Sequence, residues 1–335
     1  MDLHLCSAGC EAMLAGELRD AGLTVGESGA GFVPASGWGD PPPDPAFAHL
    51  ALRRPTELGG DSVNALAQAV ADFFLESLRD EKIEAEWPLV VGCAPEPTGL
   101  GRRASAVRRV LGELLQRRVG RVARLAVDDL PRGCGPRRGL FVHLTDFGRA
   151  YVAREAWSGG QRRMADDPAA PSRSYLKIEE AYGVLGREPV AGETVCDLGA
   201  APGGWSYSAV RREARVTAVD NGPLKGGALG HPLIRHRRED AFVFRPPAGE
   251  VYDWMFCDLV EEPHRVLRDL VEPWLAGRLC RRFVVMLKFG RTDPVALLRE
   301  LRAADSPLVR HAPGFRVRHL FHDRDEFTVV GKVKN

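Results

Sequence analysis

The chain has 335 residues, 44% hydrophobic and 27% charged, with a net charge of +1. This is the make-up of a soluble protein with room for two or three cores. No apolar run is long enough to span a membrane, and the near-zero net charge gives no general sign of a polyanionic partner. Met1-Asp2-Leu3-His4 lacks the charged-then-apolar opening of a secretory signal. Seven cysteines without a C-x-x-C pair read as reduced thiols of a cytoplasmic protein, with no metal site.

Residues 1–50 read as a small α/β unit. A strand at Leu3–Leu5 precedes a helix from Cys10 to Ala21 that Gly22 ends, and Pro41-Pro42-Pro43-Asp44-Pro45 is a stiff connector. Residues 51–155 read as a second unit, with a helix over 62–78 and a strand over 87–93. From Gly101 to Arg124 eight arginines face one acid, Glu113, while Val107, Val110, Leu111, Leu114, Leu115 and Val119 keep helical spacing. Such a run can be a solvated helix face. Guanidinium forks also suit phosphate oxygens, so Arg102, Arg103, Arg108, Arg109, Arg117 and Arg118 are candidate RNA contacts. Strands at 141–144 and 150–153 close the unit, and 156–172, with Gly159-Gly160 and Asp166-Asp167-Pro168, reads as a linker.

From residue 173 strands and helices alternate. Strands at 194–197, 215–219, 234–238, 254–257, 283–287, 315–321 and 327–333 predict a seven-stranded, doubly wound α/β sheet finished by a hairpin. Its central feature is Asp197-Leu198-Gly199-Ala200-Ala201-Pro202-Gly203-Gly204-Trp205, a strand end, a tight turn and a helix start. Open α/β sheets bind ligands at such a turn. The spacing is not that of a pyrophosphate-binding fingerprint, and an acid in the loop fits a cationic amine or sulfonium better than phosphate. Asp220, 23 residues further on, is placed to accept bonds from ribose hydroxyls. Asp258 and Lys288 each end an apolar strand, Glu326 begins the last strand, and Lys177 opens the helix after the linker. In isolation, Lys288 and Asp258 read equally well as a structural ion pair.

Together, Asp197-x-Gly199-x-x-Pro202-Gly203-Gly204-Trp205, Lys177, Asp258, Lys288 and Glu326 resemble the Lys-Asp-Lys-Glu ribose 2′-O-methyltransferases. Further phrases narrow the resemblance to the bacterial 23S ribosomal RNA cytidine 2′-O-methyltransferases. They are Pro171-Ser172-Arg173-Ser174, Leu176-Lys177-x-Glu179-Glu180-Ala181, Val219-Asp220-Asn221-Gly222-Pro223, Arg238-Glu239-Asp240, Cys257-Asp258-x-Val260-Glu261 and His322-Asp323-Arg324-x-Glu326.

The resemblance implies a Rossmann-like class I methyltransferase domain at 173–335, preceded by ferredoxin-like (1–50) and THUMP-like RNA-binding (51–155) domains. It implies S-adenosylmethionine as methyl donor and 23S rRNA, naked or pre-ribosomal, as partner; no obligatory protein partner is evident. Ser174 and the Ala201, Pro202, Gly203, Gly204 turn would hold the methionine end, Asp220 the ribose and Asp240 the adenine amine. Asp258 would lie beside the methyl group and orient Lys288, the proton acceptor; Glu326 would hold Lys177 or the ribose. The chain departs from the family at Ala201, where the family has cysteine, and in Phe289-Gly290-Arg291 after Lys288. An RNA-binding assembly factor with a degenerate methyltransferase fold is the competing reading. A base-directed enzyme is disfavoured by Asp258-Leu259-Val260-Glu261, which lacks the proline pair usual there.

Overall fold

A computed structural model describes residues 1–39, 42–78 and 81–334. Pro41, the first residue of the proline-rich connector, lies outside the described residues, as does Asn335. The chain forms two compact units, Met1–Gly159 and Gly160–Asn335.

The first unit runs β1 (Asp2–Leu5), α1 (Glu11–Asp20), β2 (Thr24–Val25), β3 (Phe32–Ser36), β4 (Leu50–Arg53), β5 (Thr56–Gly59) and α2 (Val63–Ser77). It continues with β6 (Trp87–Cys93), α3 (Leu100–Ala123), β7 (Ala126–Val127), β8 (Gly135–Asp146) and β9 (Arg149–Ser158). The sequence divides this stretch near residue 50, but all nine strands share one sheet, ordered β2-β3-β1-β4-β9-β8-β6-β7 with β5 also on β9. The joint is β4, which pairs with β1 on one edge (Leu3 opposite Leu52) and with β9 on the other (Leu52 opposite Ala156). Helix α3 buries Leu100, Ala104, Val107, Leu111 and Leu115, a stripe at spacings of three and four, against Phe74, Trp87 and Leu140. Each large side chain in that stripe contributes about 1.5–3 kcal/mol, so burial, and not the exposed arginines, fixes the helix.

The second unit carries α4 (Tyr175–Leu185), β10 (Thr194–Leu198), α5 (Gly204–Val210), β11 (Arg215–Val219), β12 (Ile234–Arg237), β13 (Tyr252–Cys257), β14 (Cys280–Lys288), β15 (Arg316–Arg318) and β16 (Glu326–Lys332). The strand order is β12-β11-β10-β13-β14-β16-β15; the first five are parallel, and β16 runs antiparallel between β14 and β15. The central strands carry continuous apolar runs, Trp254-Met255-Phe256-Cys257 and Val284-Val285-Met286-Leu287, because both faces of the sheet are covered there. From β10 the chain winds outward to β12, then returns to start again at β13. The topological switch therefore lies between β10 and β13, where such sheets open a crevice at the carboxyl ends of their strands.

The expected linker divides. Ala156–Ser158 finish β9, whereas the following residues are tied into the second unit: Arg162 N donates to Glu180 (3.2 Å), Met164 N to His322 Nε2 (3.0 Å), and Tyr207 Oη to Asp167 (3.0 Å). Among the described residues no helix is long and apolar enough to cross a membrane, and no His, Cys, Asp or Glu group is arranged to hold a metal.

Candidate active site

The turn after β10 is shaped by close approach. Gly199 has φ +81°, and a Cβ there would sit 2.6 Å from Leu259 Cδ2; Gly203 has φ +108° and would meet Ala228 Cβ at 2.5 Å. Both positions need glycine for conformation and for space. A Cβ on Gly204 would press on Ser172 Oγ (2.7 Å) and Ser174 Oγ (3.2 Å). The Ser172–Ser174 turn therefore rests directly on the start of α5, and Trp205 Nε1 donates to Ser174 O (2.9 Å). Ala201 N donates to Asp220 Oδ2 (3.0 Å) and Gly222 N to Oδ1 (2.6 Å), which locks the Asp220 carboxylate at the end of β11. Each oxygen retains capacity for a second bond.

Asp197 plays a different part from the loop charge expected of it. It is buried, Ser206 Oγ donates to its Oδ2 (2.6 Å), and burial pushes its carboxyl up to about 7. It braces the first turn of α5 from beneath.

A cleft of about 270 Å³ opens beside Gly199. Asp220, Asn221, Glu239, Asp240, Phe242 and Arg265 line it, with Leu259 against the glycine. Asp240 Oδ1 accepts from Phe242 N (2.9 Å), and the Arg265 guanidinium stacks 4.3 Å from the Phe242 ring centroid. Sequence reasoning missed Phe242, Leu259 and Arg265; the only signal was an aromatic two residues beyond Asp240.

The four charged residues come together at the neighbouring strand ends. Lys288 ends β14 with Nζ 3.5 Å from Asp258 Oδ1, just beyond β13. Glu326 opens β16 directly opposite Lys288 in the ladder, but its carboxylate contacts Lys177 Nζ, in the first turn of α4. Lys177 also lies 3.7 Å from Met286 Sδ. The two pairs differ in access. The Lys177 and Glu326 side chains are 14% and 7% exposed, those of Lys288 and Asp258 26% and 17%. Asp258 Oδ1 is buried and accepts no hydrogen bond among the described residues.

Two buried acids absent from the expected site support it. Glu180 accepts from the backbone N–H groups of Arg162, Phe321 (3.0 Å) and His322 (3.3 Å), and burial pushes it up to about 8. Asp323 accepts from Leu320 N (2.9 Å) and Thr328 Oγ1 (3.2 Å), and burial pushes it up to about 8. Together they fix the loop that delivers Glu326.

The candidate RNA arginines belong to the first unit and are unequal. Arg108 pairs with Asp128 (2.5 Å), Arg109 with Glu113 (2.7 Å) and Arg118 with Asp72 (2.5 Å). Arg103 is half-buried, whereas Arg102 and Arg117 are exposed and form no ion pair among the described residues.

The switch-point crevice, the glycine turn and the acid ending the second strand are those of an open α/β ligand-binding unit, and residues 170–276 match the FtsJ-like methyltransferase family, which makes the unit a methyltransferase. Ribosomal RNA large subunit methyltransferase M of Laribacter hongkongensis is 36% identical over 257 residues, 73% of this chain and 68% of that one. Its counterpart in Chromohalobacter salexigens is 33% identical over 361 aligned positions, covering 98% and 96%. The chain belongs to the ribosomal RNA large subunit methyltransferase M family. Among solved structures, TrmN from Thermus thermophilus aligns over 99% of either chain at 19% identity, with a TM-score of 0.32.

Proposed function

We propose that the chain transfers the methyl group of S-adenosylmethionine to the ribose 2′-hydroxyl of a cytidine in 23S ribosomal RNA, in the cytoplasm, with Lys288 as proton acceptor. The observation that carries this reading is the placement of Lys288 and Asp258 at adjacent strand ends beside the switch-point cleft.

The site fits the donor. In the cleft of about 270 Å³, Asp220 would accept from ribose hydroxyls and Asp240 from the adenine amine; Ser174 and the turn from Ala201 to Gly204 would hold the methionine end. Asp258 Oδ1, buried and accepting no hydrogen bond among the described residues, would face the cationic sulfur. When bound, S-adenosylmethionine supplies an electrophilic methyl carbon whose sulfur departs as a neutral thioether.

A ribose hydroxyl is a weak nucleophile at neutral pH, so its proton needs an acceptor as the oxygen bonds to carbon. Lys177 is closed off by Glu326, whereas Lys288 is more exposed and only loosely held by Asp258. Lys288 Nζ would take the proton from the 2′ oxygen while Asp258 holds the amine in place. General-base assistance is worth about 10²–10⁴ in rate, and alignment of oxygen, carbon and sulfur contributes more. The first unit, read as ferredoxin-like and THUMP-like segments, would hold the rRNA with its arginine helix. Mapping 2′-O-methylation on 23S rRNA from cells with and without the gene tests the reading. Loss of a single cytidine signal is expected, and an identical map in both would overturn it.

A further inference from the structure

The two sides of the active-site mouth carry opposite charge. On the cofactor side Asp220, Glu239, Asp240 and Glu261 line the cleft against one cation, Arg265, which is itself tied to Glu261 at 2.9 Å. On the other side, around Lys177 and Lys288, exposed Arg163, Arg173, Arg291 and Arg324 stand among exposed Asp166, Asp293 and Asp325. Phe289 N donates to Asp325 O (3.0 Å), so the loop after Lys288 lies along the loop before Glu326. That bond brings the neighbourhood of Arg291 to that of Arg324. Both side chains are exposed, and neither guanidinium makes an ion pair or hydrogen bond among the described residues. Arg163 lies 4.8 Å over the Phe321 ring, beside the bond from Met164 N to His322, and likewise has no acid partner among the described residues. The acids nearby are Asp325, which is exposed, Asp293, which is exposed and accepts from Val295 N and Ala296 N, and Asp166, which Arg173 takes at 2.7 Å.

Exposed arginines without an acid partner are what a polyanion requires, because the guanidinium fork matches phosphate oxygens and displaces condensed counterions. The acidic cofactor side repels the same polyanion. We infer that the catalytic unit carries its own phosphate clamp, in which Arg163, Arg291 and Arg324 hold the backbone on either side of the target nucleotide. This rests on the proposed rRNA methyl transfer. It makes Arg291, in the loop where the chain departs from its family's pattern, an RNA contact. The clamp sets where the strand lies relative to Lys288, and the arginine helix of the first unit adds affinity without fixing that register.

The test uses the full chain and protein-free 23S rRNA transcript, with binding measured from about 0.05 to 0.3 M salt and methyl transfer measured separately. The double variant R291Q/R324Q should bind at least tenfold more weakly. Its log–log salt slope should be shallower by about 1.4, near 0.7 for each single-strand phosphate that is no longer neutralised. Its calorimetric affinity for S-adenosylmethionine should stay within twofold, and R291K/R324K should restore most of the binding. R163Q, made alone because Arg163 also packs on Phe321, should show half that slope change. An unchanged affinity and slope in R291Q/R324Q overturns the clamp, as does weaker binding that lysine does not rescue and that comes with reduced cofactor affinity. If the wild-type chain binds rRNA but methylates none, the proposed activity fails while the slopes still judge the clamp. If it binds none, both fail.

Discussion

Lys288 and Glu326 face each other across the β14–β16 ladder, yet each gives its charge to a different partner, Asp258 and Lys177. A direct Lys288–Glu326 pair would have buried the proposed base in a closed contact. Because Lys177 occupies Glu326, Lys288 is left to a longer and more exposed contact with Asp258.

This division predicts how the pairs respond to loss of one member. Lys177→Met leaves a nearly buried Glu326 carboxylate without its cation, which should cost about 3 kcal/mol. The double variant K177M/E326Q removes both charges and should recover most of that loss. Urea unfolding of the second unit, followed by hydrogen exchange of the β16 amides, measures both. A double variant no more stable than K177M would show that the stranded charge is not the cause.

Buried acids give the second unit an unusual pH dependence. Asp197 is pushed up to about 7, and Glu180 and Asp323 to about 8, in each case chiefly by burial. Unfolded carboxyls titrate near about 4. Between these values the folded state holds more protons than the unfolded one, so stability falls as pH rises from about 4 to 8. Denaturant midpoints should decline from pH 5 to pH 8, and the decline should flatten in E180Q and D323N. A midpoint that rises with pH over that range would contradict the assignment.

Gly199→Ala should impair the cofactor turn. The position has φ +81°, and the new methyl would lie 2.6 Å from Leu259 Cδ2. Backbone strain costs about 1–3 kcal/mol, and the clash adds to it. G199A/L259A should relieve only the clash, so calorimetric affinity for S-adenosylmethionine should fall in G199A and recover in part in the double variant. Full affinity in G199A would place the cofactor elsewhere.

The arginine helix gives a prediction of opposite sign to simple neutralisation. Asp72, Glu113 and Asp128 each occupy an arginine. Exposed pairs of this kind are worth about 0–1 kcal/mol, so removing the acids should change stability little while freeing three guanidinium groups. D72N/E113Q/D128N should bind rRNA more tightly with a steeper salt slope, whereas neutralising Arg108, Arg109, Arg117 and Arg118 should do the reverse. If neither set changes binding, that face is ordinary solvated surface.

Much of the site was legible in the sequence because its residues fall at the ends of recognisable elements. Apolar runs closing in Asp258 and Lys288, and the glycine turn after Asp197, mark strand ends without any knowledge of the sheet. Which charge meets which was not legible. Lys177 meets Glu326 across most of the second unit, and strand order and register decide that, not local spacing. The same holds for β4, whose pairing with both β1 and β9 merges two apparent units into one sheet. It holds too for Asp72 and Asp128, which reach the arginine helix from other elements. In the sequence Glu180 stands out only as part of a shared phrase; its role as acceptor for three distant backbone amides appears only when the loops at 162 and 321 fold onto it.

The most direct test of the central claim follows isotopically labelled methyl from S-adenosylmethionine into 23S rRNA, with alkaline hydrolysis of the product. A 2′-O-methyl group blocks cleavage at its own nucleotide, so label on the ribose emerges in alkali-stable dinucleotides. Wild-type protein should place its label there. Lys288→Met should lose at least about 10²-fold in rate, the usual scale of general-base assistance, while binding the cofactor within twofold of wild type. Label recovered in mononucleotides, or full transfer by the Lys288→Met variant, would contradict the assignment of Lys288 as the base for a ribose oxygen.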